Sequence, residues 1–138
     1  YVVETSIGLD RMFLTILSYS YQVEEVNGEN RLVLSIPPML SPVKAAILPL
    51  TKKDGLPEKA KEILTSLKFD FNCQYEEKDS IGKRYRRQDA IGTPYCITVD
   101  HQSLEDNTVT LRDRDTMKQE RIDIEQLHSL ISKKVQWN

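Results

Sequence analysis

The hydrophobic and polar positions along the chain predict two parts, a helical start followed by alternating strands and helices. Apolar residues recur every three or four positions at the start, so we predict a helix from Leu9 to about Val26. An Asn27-Gly28 turn signal, a short apolar run and a Pro37-Pro38 pair follow it. We interpret Asn27 to Pro42 as a linker, which divides the chain into domains 1–41 and 42–138.

From Pro42 onward, strand and helix patterns alternate. The run VKAAILPL is apolar and too short for a helix, which is typical of a strand buried on both faces. Helical patterns then occupy LPEKAKEILTSLKFD and SIGKRYRRQDAIG, and strand patterns occupy FNCQYEE, TPYCITVD, NTVTLRDRDT and KQERIDI. A last helix begins at Asp123, with Gln126 as its capping-box partner. The order β-α-β-α-β-β-β-α predicts an α/β fold, with a mixed and mostly parallel five-stranded sheet flanked by helices.

The composition fits one ordinary globular domain with a short appendage. The 138 residues are 39% hydrophobic and 29% charged, and the net charge is −2, so a polyanion would have to meet a local basic patch. No stretch reaches the roughly 18 apolar residues of a membrane span, and the start lacks the features of a secretory signal. We expect Cys73 and Cys96 to be reduced and buried, which favours a cytoplasmic location. His101 and His128 have no metal-ligand spacing, so we expect no metal site.

The most basic stretch is KRYRR, within the helical pattern that ends at Gly92. Helical spacing places Lys83, Arg84 and Arg87 on one arc, whereas Tyr85 points elsewhere and packs inward. One explanation is a solvated helix face. The other is contact with a sugar-phosphate backbone, for which Lys and Arg are well suited. The pattern alone leaves both explanations open.

The strand TVTLRDRDT carries a second candidate site. Two-residue alternation places Val109 and Leu111 in the core and directs Arg112 and Arg114 to the opposite, exposed face. The aspartates that alternate with these arginines suit a ladder of ion pairs across a hairpin. They equally suit contact with base edges, because a carboxylate accepts a hydrogen bond from the amino group of cytosine. With no catalytic constellation in 42–138, these residues point only to an α/β domain with a possible role in RNA binding.

Four segments resemble known motifs when they are taken together. VVETSIGLDRMFLTIL is similar to a strand, a small turn and an arginine that opens a hydrophobic helix, the third signature motif of class II aminoacyl-tRNA synthetases. PVKAAILPLTKK resembles the first strand of the anticodon-binding domain that the glycyl, histidyl, prolyl and threonyl enzymes share. IGKRYRRQDAIGTPYCITVD and TVTLRDRDTMKQERI resemble the later part of that domain in the dimeric glycyl-tRNA synthetases. The resemblance covers nearly the whole chain and implies that 1–41 ends a catalytic domain and that 42–138 is an anticodon-binding domain.

The resemblance implies a substrate site in the first of these segments. The residues that match the glycine pocket are Glu4, Thr5, Ser6, Ile7 and Gly8, and those that match the ATP-facing stretch are Gly8, Leu9, Asp10 and Arg11. The carboxylate of Glu4 would face the substrate ammonium. Arg11 matches the catalytic arginine of the motif, whose planar guanidinium can bridge phosphate oxygens or stack on adenine. One departure is Thr5, where the family usually has proline.

The resemblance also implies contacts with the anticodon. Glycine codons begin with GG, so the tRNA presents two cytosines, and unpaired bases are read on their Watson–Crick edges. Candidate acceptors for their amino groups are Asp113, Asp115 and Glu120, and candidate donors are Arg112 and Arg114. Candidate phosphate contacts are Lys83, Arg84 and Arg87. These assignments rest on chemistry and on the phase of the strand.

The implied activity belongs to a larger enzyme. Such an enzyme ligates glycine to tRNA(Gly) through glycyl-adenylate, using ATP and Mg²⁺, as a homodimer and without a membrane. We expect the 138 residues alone to be inactive and to hold no cofactor, because motifs 1 and 2 of the class are not among them. Two alternatives stay open: a non-catalytic module that binds nucleic acid or protein, and the prolyl or threonyl member of the same group.

Overall fold

The computed structural model describes residues 1–136 of the chain. It begins with helix α1 (Leu9–Ser20) and a hairpin of strands β1 (Tyr21–Val26) and β2 (Glu29–Leu34). The elements that follow are β3 (Ala45–Pro49), α2 (Leu56–Leu67), β4 (Cys73–Tyr75), α3 (Ile81–Ile91), β5 (Tyr95–Val99), α4 (His101–Asp106), β6 (Thr108–Asp113), β7 (Gln119–Asp123) and α5 (Ile124–Val135). Apart from the short helix α4, the order from β3 onward is the predicted one.

Strands β3 to β7 form one five-stranded sheet with the order β4-β3-β5-β6-β7. β3 pairs in parallel with β4 and β5, whereas β6 is antiparallel to both β5 and β7. Within residues 1–136, β6 is therefore the one strand of this sheet that opposes the direction of the others. The predicted mixed, mostly parallel sheet flanked by helices is confirmed.

Helices cover both faces of the sheet. On one face, Ile63 of α2 and Ile131 of α5 join a large apolar cluster. On the other face, Leu48 and Cys96 pack against Tyr85 of α3, so the predicted inward packing of this tyrosine is confirmed. The two covered faces explain why the segments that form β3 and β5 are nearly continuous apolar runs.

Residues 21–34 form a hairpin where a helix and a linker were predicted. The helix predicted from Leu9 to about Val26 ends at Ser20, and the predicted linker contains β2. The Asn27-Gly28 turn has φ values of 55° and 80°, and positive φ at both central residues suits a tight antiparallel hairpin. The prediction was wrong here because the helical period of α1 was continued into residues that pair with a strand instead.

Helix ends were predicted with mixed success. Gly92 ends α3 with a φ of 86°, as predicted. Asp123 is the residue that precedes α5, but its side chain makes no capping hydrogen bond, so the predicted capping box with Gln126 is not formed. A capping box is formed at α4, where Asp100 accepts from the Ser103 backbone N at 3.0 Å and donates its own N to Ser103 Oγ at 3.1 Å.

The start of the chain lies on the surface. Residues 1–8 form neither helix nor strand, and residues 1–15 are all exposed. The division into domains 1–41 and 42–138 stays a prediction, and the last two residues of the second range lie outside the described residues.

Candidate nucleic-acid interface

The basic stretch of α3 separates into a buried and an exposed part. Arg84 is only 2% exposed, and its Nη1 donates to the carbonyl oxygens of Pro49 at 2.7 Å and Glu76 at 3.2 Å. Its Nη2 donates to the carbonyl oxygen of Leu50 at 3.3 Å, and burial lowers the pKa of the guanidinium. Arg84 therefore ties α3 to the end of β3, and the expectation that it is exposed for phosphate contact is wrong.

The other two cations of α3 lie on the surface. Arg87 donates to Glu76 Oε1 at 2.6 Å, to Asp79 Oδ2 at 2.9 Å and to the carbonyl oxygen of Lys78 at 2.7 Å. The hydrogen bond to Glu76, and next the one to Asp79, raises the pKa of Arg87. Lys83 is exposed and forms no ion pair within the part of the chain that the structure describes. Of the three predicted phosphate contacts, Lys83 is the one that is both exposed and without an ion pair in that part of the chain.

Arg112 lies between the sheet and α3. Its Nη1 and Nη2 donate to the two carboxylate oxygens of Asp89 at 2.8 and 3.0 Å. Its guanidinium lies 4.7 Å from the centre of the Tyr85 ring, within the range of a cation–π contact. The predicted strand phase is correct, because Arg112 points away from Leu111, but the predicted exposure is wrong because α3 covers this face.

Arg114 is also internal. It is 2% exposed, with Nη1 donating to the carbonyl oxygen of Gly92 at 2.8 Å and Nη2 to that of Ile36 at 2.9 Å. Its Nε donates to Asp115 Oδ1 at 2.8 Å. The expectation of an exposed donor is wrong here as well, since this side chain joins three segments of the chain.

The three predicted acceptors lie at the β6–β7 turn. Asp113 Oδ1 accepts from the backbone N of Asp115 at 3.0 Å and of Thr116 at 2.9 Å, which builds the turn. Asp115 is exposed and accepts from Arg114 and from Ser35 Oγ at 3.1 Å. Glu120 is exposed and lines a groove of about 180 Å³ together with Asp113 and two lysines. The structure thus brings Asp113 and Glu120 together at one groove, where Glu120 is exposed and Asp113 is half-buried.

A second groove, which the sequence reasoning missed, lies on the α3 side of the sheet. It measures about 250 Å³ and is lined by Leu50, Ile81, Tyr85, Thr98, Asp100, Thr110 and Gln119. The hydroxyl groups of Tyr85 and Thr98 are 2.6 Å apart. An aromatic ring beside hydroxyl, amide and carboxylate groups can stack on a flat polar molecule and bond to its edge. We call these residues the Tyr85 groove.

A half-buried ion pair lies at the Tyr85 groove, because Asp100, which lines the groove, pairs with Arg121. Arg121 donates from Nη1 to Asp100 Oδ2 at 2.6 Å and from Nη2 to Asp100 Oδ1 at 2.9 Å. The hydrogen bond from Arg121 lowers the pKa of the Asp100 carboxyl, so this group is ionised at neutral pH. Thr110 and Arg121 are direct cross-strand partners in the β6–β7 hairpin, a register that was not predicted from the sequence.

The predicted substrate residues Glu4 to Arg11 lie apart from secondary structure until α1 begins at Leu9. All of them are exposed, and Arg11 contributes its carbonyl oxygen to Thr15 Oγ1 at 2.8 Å within the helix. The apolar side of α1 is exposed too, with Phe13 60% and Leu14 64% accessible. The side chains of residues 4–11 therefore lie on the surface, and these residues do not form an enclosed pocket by themselves.

Neither a metal-binding cluster nor a membrane-spanning helix is found among the described residues. Within residues 1–136, no group of three or more His, Cys, Asp or Glu side chains is placed to hold a metal ion. None of the helices among the same residues combines the length and the apolar character that crossing a membrane requires.

Comparison with known proteins decides the family. The model of the family described as "Anticodon binding domain" matches residues 44–134. The chain belongs to the anticodon-binding domain family. This anticodon-binding domain contains both grooves and all the predicted anticodon contacts, because every one of these residues lies within the matched range.

The relatives agree with the resemblance inferred from sequence. The chain is 54% identical over 132 residues to the glycine–tRNA ligase of Borrelia hermsii, which covers 95% of this chain and 30% of that protein. It is 52% identical over 135 residues to the glycine–tRNA ligase of Chlorobaculum tepidum, with 98% and 29% covered. The chain thus spans about 30% of the length of the curated relatives it matches. The predicted resemblance to glycyl-tRNA synthetases is confirmed.

A solved structure supports the fold. The crystal structure of the RNA binding domain of threonyl-tRNA synthetase from Cryptosporidium parvum superimposes with a TM-score of 0.66 at 27% sequence identity. The match covers 72% of this anticodon-binding domain chain and 25% of the other chain.

Proposed function

We propose that this chain is the anticodon-recognition part of a glycine–tRNA ligase, an enzyme that joins glycine to tRNA(Gly) with ATP through glycyl-adenylate. The observation that carries the proposal is the 54% identity over nearly the whole chain to a glycine–tRNA ligase. The solved threonyl-tRNA synthetase domain is 27% identical over a smaller share of the chain, which favours glycine over threonine as the amino acid.

The Tyr85 groove supports a site for one unpaired anticodon base. The half-buried Tyr85 ring, which lines the groove, offers a stacking surface, and Thr98, Thr110 and Gln119 offer donors and acceptors for a base edge. The ionised Asp100 can accept from the amino group of a cytosine. Lys83, exposed on a different side of α3 from Tyr85, suits a backbone phosphate elsewhere on the same RNA.

The groove beside Glu120 supports contact with the second cytosine. Glu120 and Asp113 are carboxylates that can accept from an amino group, and Lys118 and Lys134 in the same groove can neutralise a phosphate. Asp115 and Arg87 are exposed and stay candidates at the margin of the interface. Arg84, Arg112 and Arg114 act from inside, by holding the elements that carry these groups.

For the whole enzyme we propose that Glu4 to Arg11 forms one wall of the glycine and ATP site. Glu4 and Ser6 would face glycine, with Thr5, Ile7 and Gly8 beside them, and Arg11 would engage the triphosphate. The exposure of residues 1–15 and of the apolar side of α1 supports this, since a wall that closes against other residues needs such a surface. A homodimeric, cytoplasmic enzyme is part of the same proposal.

The test is a binding measurement with different tRNAs. The chain is titrated with transcripts of tRNA(Gly), tRNA(Thr) and tRNA(Pro), and we expect tRNA(Gly) to bind with the highest affinity. A preference for the threonine or proline transcript would replace glycine by that amino acid. Equal binding of all three would favour a non-catalytic module that binds nucleic acid without reading an anticodon.

A further inference from the structure

A buried cluster of three charged side chains joins the hairpin to the sheet. Asp89 of α3 accepts from Arg31 Nε of β2 at 2.9 Å and from the two Nη atoms of Arg112 of β6 at 2.8 and 3.0 Å. The side chains of Arg31 and Asp89 are 0% exposed, and that of Arg112 is 7% exposed. Two positive charges and one negative charge thus share the interior of the molecule.

Arg31 has further partners that fix it in place. Its Nη1 donates to Glu24 Oε2 at 2.6 Å, across the hairpin, and its Nη2 donates to the carbonyl oxygen of Arg114. Glu24 is 39% exposed, so water screens its charge more than that of Asp89. Each of the three nitrogens of the Arg31 guanidinium therefore donates a hydrogen bond, and its partners lie on β1, on α3 and in the segment that follows β6.

The cluster reaches the Tyr85 groove through one contact. The Arg112 guanidinium, held flat by both Asp89 oxygens, lies 4.7 Å from the centre of the Tyr85 ring. The Tyr85 hydroxyl bonds to Thr98 Oγ1 at 2.6 Å, and the ring lines the groove. A continuous line of direct contacts therefore runs from Arg31 through Asp89 and Arg112 to Tyr85, although no hairpin side chain lines the groove.

We propose that Arg31 is a positioning residue for RNA binding, which acts on the Tyr85 ring through Asp89 and Arg112. The proposal rests on the proposed function of the Tyr85 groove as a base site. With Arg31 present, Asp89 is shared between two cations, so it neutralises less of the Arg112 charge beside the ring that stacks on the base. Without Arg31, Asp89 neutralises Arg112 alone and loses one of the three hydrogen bonds that fix its plane. The cation beside the ring is then held less firmly and is more fully neutralised, while the bond from Tyr85 to Thr98 remains.

The test compares Arg31→Met with Val33→Ala. Both residues are buried on β2, two positions apart, so both variants loosen the hairpin, whereas Val33 is outside the charged cluster. Binding is measured with tRNA(Gly) and with a transcript whose anticodon cytosines are changed, at a temperature where both variants are folded. We expect Arg31→Met to weaken cognate binding about fivefold or more, the lower range for one base–aromatic stack, and to reduce the preference for cytosine. Val33→Ala should leave both quantities at the wild-type value.

A double variant shows whether Arg31 acts through Tyr85. In the Tyr85→Leu background, Arg31→Met should change cognate binding no further, because the group on which it acts is gone. If Arg31→Met has its full effect in that background, or if Val33→Ala weakens binding equally, the proposal is overturned. Arg31→Lys keeps the charge and loses the fork, so it should fall between wild type and Arg31→Met and serves if the methionine variant does not fold.

A measurement without RNA separates this proposal from the proposed function. The ring resonances of Tyr85 in an NMR spectrum should shift in Arg31→Met and stay in place in Val33→Ala. Unshifted resonances in Arg31→Met would overturn the link between Arg31 and the ring even if the chain reads the anticodon. Shifted resonances in a chain that shows no preference for tRNA(Gly) would instead contradict the proposed function and, with it, the role in RNA binding.

Discussion

At the scale of single residues, this molecule places arginine side chains inside and uses them as hydrogen-bonding braces. Arg31, Arg84, Arg112 and Arg114 are all buried. Three of them have a carboxylate partner, whereas Arg84 bonds only to backbone carbonyl oxygens among the described residues. A guanidinium presents five donors in a rigid fork, so it can hold several chain segments at once, which lysine cannot do.

Arg84 should contribute strongly to stability. Arg84→Met keeps an apolar stem but leaves the carbonyl oxygens at the ends of β3 and β4 without their donor, so we expect the free energy of unfolding to fall by about 2 kcal/mol or more. Lys83→Met, one residue away and exposed, should change it by less than about 0.5 kcal/mol. Chemical denaturation of both variants measures the difference, and equal midpoints would show that Arg84 is not a brace.

The Asp100–Arg121 pair should give a pH-dependent share of stability. Because Arg121 lowers the pKa of Asp100 in the folded state, the unfolded chain binds the proton more readily. The contribution is therefore complete above the unfolded pKa, about 4, and is lost as the pH falls through the folded pKa. We expect wild type to exceed Asp100→Asn in unfolding free energy by a constant amount above about pH 5, with the gap closing below about pH 4. A gap that is unchanged by acid would exclude the pair as its source.

At the scale of elements, the hairpin is part of the packed structure and depends on the end of α3. Gly92 ends that helix with a φ of 86°, and a Cβ atom there would lie 2.9 Å from Ile36 Cγ2 and 3.1 Å from the carbonyl oxygen of Leu34. Gly92 thus lets the segment that follows β2 approach the helix closely, and Arg114 fastens the contact by bonding to the carbonyl oxygens of Gly92 and Ile36.

Comparing Gly92→Ala with Gly55→Ala should separate the cost of a steric clash at Cβ from the cost of the backbone conformation. Gly55 has a nearly equal φ of 79° but open space around its Cβ position, so Gly55→Ala carries the cost of the backbone alone. We expect that variant to lose about 1 kcal/mol of unfolding free energy and Gly92→Ala to lose about 3 kcal/mol. Thermal or chemical unfolding compares the two, and equal losses would mean that the hairpin contact adapts without cost.

At the scale of the whole molecule, the sequence predicted the sheet well and the hairpin poorly. Continuous apolar runs are enough to identify buried strands such as β3 and β5, since their partners cover both faces. The hairpin depends on contacts between residues that are distant in sequence. Arg31 and Asp89, for example, are 58 positions apart, and no local sequence pattern predicts their contact.

At the candidate site, too, contacts between distant residues could not be predicted from local sequence patterns. Alternation along β6 correctly separated Arg112 from Leu111, but it could not reveal that α3 brings Asp89 and Tyr85 over that face. The burial of Arg112 and Arg114 and the existence of the Tyr85 groove therefore needed the three-dimensional structure. The resemblance to glycyl-tRNA synthetases, by contrast, is carried by contiguous segments and was visible in the sequence.

The central claim is that this chain reads the anticodon of tRNA(Gly), and exchange of the anticodon bases tests it most directly. The affinity of the chain is measured for tRNA(Gly) and for the same transcript with both anticodon cytosines replaced by uracil, at one fixed salt concentration. Each mismatched base typically costs about 1–3 kcal/mol, so we expect affinity to fall at least tenfold. Equal affinity for the two transcripts would contradict the account.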